Sequence, residues 1–267
     1  MINLLKSEYR KFVSTRMWWV LLLVMVGYMA MNASAFAFMF AFGDAVSTGD
    51  PDMVMDPTLA PQSVYTVAAS MGYIFPALIG VMSIAGEFRH KTITPTIIAT
   101  PNRTKLLTAK LISGVPLGIL YGAVGTFACV GFGALILSLG DVSPQLDTSY
   151  AWGIIGRSVL TLTLWLIFGV ALGSVLTNQV AAVVILIAFT QLIEPILRML
   201  LPNWTITEGA ARFLPGAVGD AIAGGSIYDA MSGATPLPIA SAIAVMLAYI
   251  VVLAAIGRVS TLRSDIS

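Results

Sequence analysis

The chain has 267 residues, of which 58% are hydrophobic and 10% charged, and its net charge is +1. Soluble domains carry roughly 25% charged residues, so this composition belongs to a membrane protein. The near-neutral balance gives no electrostatic case for nucleic acid, and the single cysteine, Cys129, excludes an internal disulfide or a cysteine-cluster metal site.

In chain order, the first feature is a basic segment, residues 1–16, with Lys6, Arg10, Lys11 and Arg16. An apolar run from Met17 to Phe42 follows, containing Ala33-Ser34-Ala35. The run is far longer than the roughly 7–15 residues of a signal-peptide core, so it reads as a retained first span. About 20 apolar residues cross the hydrocarbon core as a helix. Five further stretches qualify: Val64–Ala85, Leu111–Leu139, Ala151–Leu176, Val180–Leu201 and Leu237–Ile256. A bilayer offers backbone amides no water, so all six should be helices in one transmembrane domain covering residues 1–267. Only Thr177-Asn178-Gln179 separates the fourth and fifth spans, which predicts a tight hairpin.

Several residues within the spans carry packing or chemical signals. Pro76 and Pro116 are candidate kinks. Gly114, Gly118 and Gly122 recur every four residues on the third span, and Gly169 and Gly173 do so on the fourth. Such a face admits another helix backbone, either within the chain or across a dimer seam. Glu194 and Arg198 are four apart on the fifth span with the acid first, the favourable order for a same-face pair. Gln191 lies about one turn earlier, and Arg157 enters the fourth span at similar depth, within expected reach of Glu194 across the hairpin. Ionisable groups inside spans are costly, so this set is either a structural ion pair or the lining of a transport path. The long connection Pro202–Pro236 contains Glu208–Gly225, which predicts one or two short re-entrant or interfacial helices broken at Leu214-Pro215-Gly216.

Lysine and arginine placement sets an expected orientation. With the N-terminus inside, the inner segments hold Lys6, Arg10, Lys11, Arg16, Arg89, Lys91, Arg103, Lys105, Lys110, Arg258 and Arg263, which is 11 of the 14 basic residues. Ten of the 13 acids then face outward, including Asp44, Asp50, Asp52 and Asp56 in one loop. Both termini are therefore expected in the cytoplasm of a cell bearing this protein in its plasma or inner membrane.

The segment Gly86–Lys105, "GEFRHKTITPTIIATPNRTK", then becomes a cytoplasmic loop holding the only histidine, His90. Glu87 suits the start of a short helix because helix N-termini are electropositive. Thr94 is a candidate cap and Pro95 suits the first helical position, which would present Ile97 and Ile98 to the membrane or a partner. The plain alternative is a basic loop that only satisfies the positive-inside pattern. Phosphate-loop chemistry is absent: Lys91-Thr92 has the right ending, but Ala85 and His90 stand where glycines are required. With one histidine and no clustered cysteines, the chain offers no metalloenzyme site and no evident catalytic group, so no cofactor is expected to bind it directly.

This loop resembles that of ATP-binding-cassette type-2 permeases, the membrane subunits of many bacterial export systems. Gly86, Glu87, Phe88, Arg89, Thr92, Ile93, Thr96, Ile97, Ile98, Thr100, Pro101 and Arg103 match that family's pattern, while Lys91 stands where glycine is frequent. The opening "LLKSEYRKFVSTRMWWVLLL" and the later "RFLPGA" are similar to the family's first and outer segments. The resemblance implies a six-span subunit that pairs with an identical or different permease and with two separately encoded ATPase subunits. It implies that residues 1–16 form an amphipathic segment along the inner interface, and that residues 86–105 hold a coupling helix seated on the ATPase. Glu87, Phe88, Arg89, Thr92 and Ile97 would be the docking residues, ATP being hydrolysed only by the partner. A non-transporting membrane binding, immunity or scaffold protein is the alternative; a secondary transporter would show related halves and more midplane charge. The cargo is not legible.

Overall fold

A computed structural model describes residues 2–46, 57–100, 102–176, 178–201, 209–226 and 235–260. Every regular element among them is helical. In chain order these are α1 (Ile2–Ser14), α2 (Met17–Val46), α3 (Ala60–Gly72), α4 (Ile74–Arg89), α5 (Ile93–Ala99), α6 (Arg103–Leu139), α7 (Ser149–Val175), α8 (Gln179–Ala188), α9 (Glu194–Leu200), α10 (Pro215–Ala223) and α11 (Ile239–Ser260). Six helical stretches are long and apolar enough to cross a membrane: α2, α3 with α4, α6, α7, α8 through α9, and α11. The chain thus has a multi-pass membrane architecture. The end of the bundle that carries α1 and α5 is called proximal, and the opposite end distal.

The spans depart from straight helices where the sequence removes a backbone donor. Pro76 has no N–H to return to the Gly72 carbonyl, and the second span is interrupted at Tyr73, between α3 and α4. Pro195 likewise cannot bond the Gln191 carbonyl, and Phe189–Ile193 forms a π-helical turn that joins α8 to α9. Pro116 does not break α6, which runs unbroken from Arg103. At 1.5 Å per residue its 37 residues span about 55 Å, nearly twice a hydrocarbon core, so its first turns project beyond the apolar layer.

Helix α7 is the centre of the bundle. Its most apolar window is 72% buried, against 17% for α11 at the periphery. Glycines let its neighbours reach its backbone. A Cβ on Gly80 of α4 would lie 2.7 Å from the Val170 amide nitrogen, and one on Gly173 would lie 2.6 Å from the Val81 carbonyl. The Gly114, Gly118 and Gly122 face of α6 packs on Leu166, Thr163 and Val159 of α7, so of the two expected roles it serves packing within the chain. Trp165 fills the centre, stacked on Tyr73 at 4.3 Å and edge-on to Phe168 at 5.1 Å.

One expectation needs correction. The fourth and fifth spans do not form a closely packed hairpin, because α7 is already covered by α4, α6 and α11, and α8 packs mainly on α4. Of the two placements expected for the distal connection, α10 takes the interior one, buried along its whole length between α3, α7 and α11, while Arg212 and Phe213 just before it are exposed. The expected break at Leu214-Pro215-Gly216 falls between a short 3-10 turn, Ala211–Phe213, and α10, which Pro215 opens at its first position. Residues 202–208 and 227–234 of that connection lie outside the described residues.

The α4–α7 contact generates a test. Gly80→Ala forces two backbones apart and should cost about 1–3 kcal/mol in an unfolding titration of the purified protein in detergent. Gly27→Ala, whose Cβ meets nothing within 4 Å, should stay within about 0.5 kcal/mol of the parent.

Candidate functional site

The proximal end gathers four elements around two lysines and two glutamates. Glu8 comes from α1, Glu87 from the last turn of α4 and Lys110 from two turns into α6. Lys110 Nζ lies 2.5 Å from Glu8 Oε2 and 2.7 Å from Glu87 Oε1. Lys11 Nζ lies 2.7 Å from Glu8 Oε1 and 2.9 Å from Glu87 Oε1, and donates to Thr96 Oγ1 of α5 at 3.1 Å. The four charges sum to zero, which is what their burial requires. Lys11 is the member that remains open to solvent, with 42% of its side chain exposed.

The local sequence explains why these elements meet. On α1, Glu8 and Phe12 share the buried face, Tyr9 and Val13 an exposed apolar one, and Lys6 and Arg10 a basic one. That three-sided pattern lays the helix against the bundle with its axis along an interface. Trp18 Nε1 donates to the Val13 carbonyl at 2.9 Å, and Tyr121 OH donates to the Trp18 carbonyl, fixing the corner between α1 and α2.

Helix α4 ends in a Schellman motif. Lys91 N–H bonds the Phe88 carbonyl at 3.2 Å, and Thr92 N–H bonds the Glu87 carbonyl at 2.9 Å. Lys91 sits at φ +56°, the left-handed region that glycine occupies most readily. This gives a physical reason for the glycine frequent at that position of the resembling loop. It also corrects two expectations: Glu87 lies in the final turn of α4 instead of starting a helix, and α5 begins at Ile93, so Thr94 and Pro95 lie inside its first turn. The chain needs only three residues to turn, because the motif satisfies the terminal carbonyls of α4 directly.

The expected docking residues therefore divide. Glu87 is buried in the charge cluster and Phe88 packs against the core, whereas Arg89 and Thr92 are exposed. The side chain of Ile97 lies outside the described residues. Ile98 projects from α5 with 75% of its surface exposed.

Burial by itself raises the Glu8 carboxyl; the Lys110 charge, then the hydrogen bonds from Lys11 and Lys110, outweigh it and hold it below its ordinary value. Burial likewise lowers Lys11, and the bond to Glu8 with the charge of Glu87 reverses that and raises it. A depressed acid stabilises the fold above its unfolded pKa and loses that contribution as pH falls; a raised base loses its contribution only as pH climbs through the folded value. The contributions of Glu8 and Lys11 are thus both present across the neutral range.

A second charge network lies in the distal half. Glu194 Oε1 accepts from the Gly216 N–H at 2.6 Å and the Ala217 N–H at 3.1 Å, capping the N-terminus of α10. Arg198 Nε lies 3.4 Å from Glu194 Oε1, and Arg198 Nη1 lies 2.7 Å from Asp220 Oδ2. The expected Glu194–Arg198 pair forms, with Gln191 beside it donating to Tyr73 OH at 3.4 Å. Arg157 does not join them. Its guanidinium lies against Gly224 at the end of α10, and α7 and α9 are not closely packed. Asp220 went unrecognised, although a lone acid within the apolar stretch Pro215–Ala223 was a usable signal. Lys110 and Glu8 were counted only as inner charges, and nothing in their local sequence pairs them.

Residues 19–267 match a family model described as a protein of unknown function, DUF2705. The chain belongs to this family. A comparison with curated proteins finds no match.

Lys110→Met should leave Lys11 alone against Glu8 and Glu87, one buried carboxylate charge unmatched, and cost about 3–5 kcal/mol in detergent unfolding. The parent's melting temperature should stay flat at neutral pH and fall on acidification below the ordinary carboxyl value of 4.5, and Glu8→Gln should flatten that acid limb.

Proposed function

We propose that this chain is the transmembrane permease subunit of an ATP-driven exporter, and that it converts ATP hydrolysis on a separate ATPase subunit into movement of cargo across the membrane. The observation that carries this reading is the construction of α5. A seven-residue helix between the second and third spans is bonded through Lys11 to α1, and through the shared cluster to the ends of α4 and α6. It presents Ile98, Thr94 and Pro95 outward, with Arg89 and Thr92 on the adjoining turn. A loop that only satisfied charge asymmetry would need neither the exposed isoleucine nor the hydrogen bond from Lys11.

In this reading the proximal end is cytoplasmic, as are both termini, and the membrane is the plasma or inner membrane. Two ATPase copies engage two permease copies, identical or paralogous, and each ATPase holds one α5. The exposed apolar and basic surface docks, while Glu87 transmits: a push on α5 reaches α4 through a three-residue turn, and reaches α1 and α6 through two lysines. The chain itself performs no catalysis and binds no nucleotide.

The test is coexpression of the chain with a candidate phosphate-loop ATPase subunit, followed by purification and reconstitution. Ile98→Asp with Arg89→Ala should leave the chain folded while abolishing cargo-stimulated ATP hydrolysis, a loss of tenfold or more. A cysteine placed at Thr94 should react with an impermeant thiol reagent only from the cytoplasmic side. Full stimulation in the double variant, or labelling from outside, overturns the reading.

A further inference from the structure

Beside the distal network lies a cavity of about 90 Å³, room for on the order of three waters at ~30 Å³ each. Ser70, Tyr73, Thr190, Gln191, Glu194 and Asp220 are among the residues that line it. Both neighbouring spans are irregular here: the second turns between α3 and α4 at Tyr73, and the fifth makes its π-helical turn over Phe189–Ile193. Interrupted membrane helices commonly frame ion sites, because oxygens there are not all consumed by the helix.

Gln191 Nε2, which reaches Tyr73 OH at 3.4 Å and Thr190 Oγ1 at 3.5 Å, and the Arg198 guanidinium are donors at the cavity; the three hydroxyls beside them are not. Ser70 Oγ spends its proton on the Thr66 carbonyl at 3.1 Å, Tyr73 OH on the Thr190 carbonyl at 3.2 Å, and Thr190 Oγ1 on the Leu186 carbonyl at 2.8 Å. Each hydroxyl oxygen is left with lone pairs and no hydrogen to offer. Glu194 Oε2 is buried with no hydrogen-bond partner, and Glu194 as a whole is 1% exposed. Charge is one-sided. Among the described residues Glu194 and Asp220 pair with one cation, Arg198, so with both carboxyls ionised the buried network carries one uncompensated negative charge, whereas the proximal cluster balances. A net charge inside a membrane is costly unless something neutralises it.

We propose that this cavity is a binding site for one monovalent alkali cation, held by Glu194 Oε2 and the hydroxyl oxygens of Ser70, Tyr73 and Thr190. Hard oxygen ligands suit such an ion, and one positive charge closes the balance. A divalent ion fits poorly: it would overshoot by one charge, and no group of three histidine, cysteine, aspartate or glutamate residues exists among the described residues. The site joins the second span, the fifth span and α10, so a bound ion fixes the distal arrangement of all three. The inference stands whether or not the chain is an exporter subunit.

Purified full-length protein in detergent is melted at constant ionic strength and pH in NaCl, KCl or choline chloride. The expected result is a saturable upward shift in Tm with an alkali chloride and none with choline chloride. Glu194→Gln, whose amide oxygen can still accept from Gly216 and Ala217, should lose the shift. Ser70→Ala, a milder change that keeps the test usable if the first variant folds poorly, should need several-fold more salt for half of it. An equal shift in choline chloride, or an undiminished one in both variants, overturns the site. A shift reproduced in choline chloride by lowering the pH assigns the missing charge to a proton and overturns it as well.

Discussion

Helices α4 and α7 approach until backbone meets backbone. A side chain at Gly80 or Gly173 would meet the facing chain at 2.7 and 2.6 Å, closer than real Cβ contacts come. Association in lipid gains little from hydrophobic burial, so van der Waals contact at this range is the available cohesion. The rest of the molecule is arranged around it. Because α4 is pinned to α7 near its middle, Glu87 at one end and Tyr73 at the other have fixed depths, and each stands in a different polar assembly.

Those assemblies solve the same problem differently. At the proximal end two lysines alternate with two glutamates, and each ammonium touches both carboxylates. Removing any one member leaves charge unmatched, so α1, α4 and α6 are held together as a unit. At the distal end the carboxylate of Glu194 serves as the cap of α10, a task usually left to a residue just before a helix. That cap anchors a nine-residue helix in the interior, where its N-terminal amides would otherwise lack partners. The unequal charge count there is the feature that distinguishes the distal end.

Under the proposed function the two ends become input and output. The short α5 is joined to α4 by a turn with little slack, and α4 reaches Tyr73 beside the distal cavity. The interruption at Tyr73 is where one half of the second span can move relative to the other, since Pro76 has already removed a backbone bond across it. A rigid lever with a weak point near the far assembly suits a subunit driven from one side.

Hydropathy, charge asymmetry and the proline positions were legible in the chain itself. Six spans and a helix after the second of them follow from local composition, because crossing a bilayer depends on about 20 consecutive side chains and little else; the π-helical turn of the fifth span, ahead of Pro195, was not anticipated. Glu194 with Arg198 was also legible, being one helical turn apart. What only the tertiary structure decided was which distant groups meet. Glu8 and Lys110 are 102 residues apart, Gly216 and Glu194 are 22, and their pairing depends on how each helix is rotated about its axis. Rotation is set by contacts summed over the whole bundle; the repeat Gly114, Gly118 and Gly122 marks a small-residue face within one segment but not the helix that it meets. For the same reason Arg157, placed beside Glu194 by depth alone, turned out to face another way.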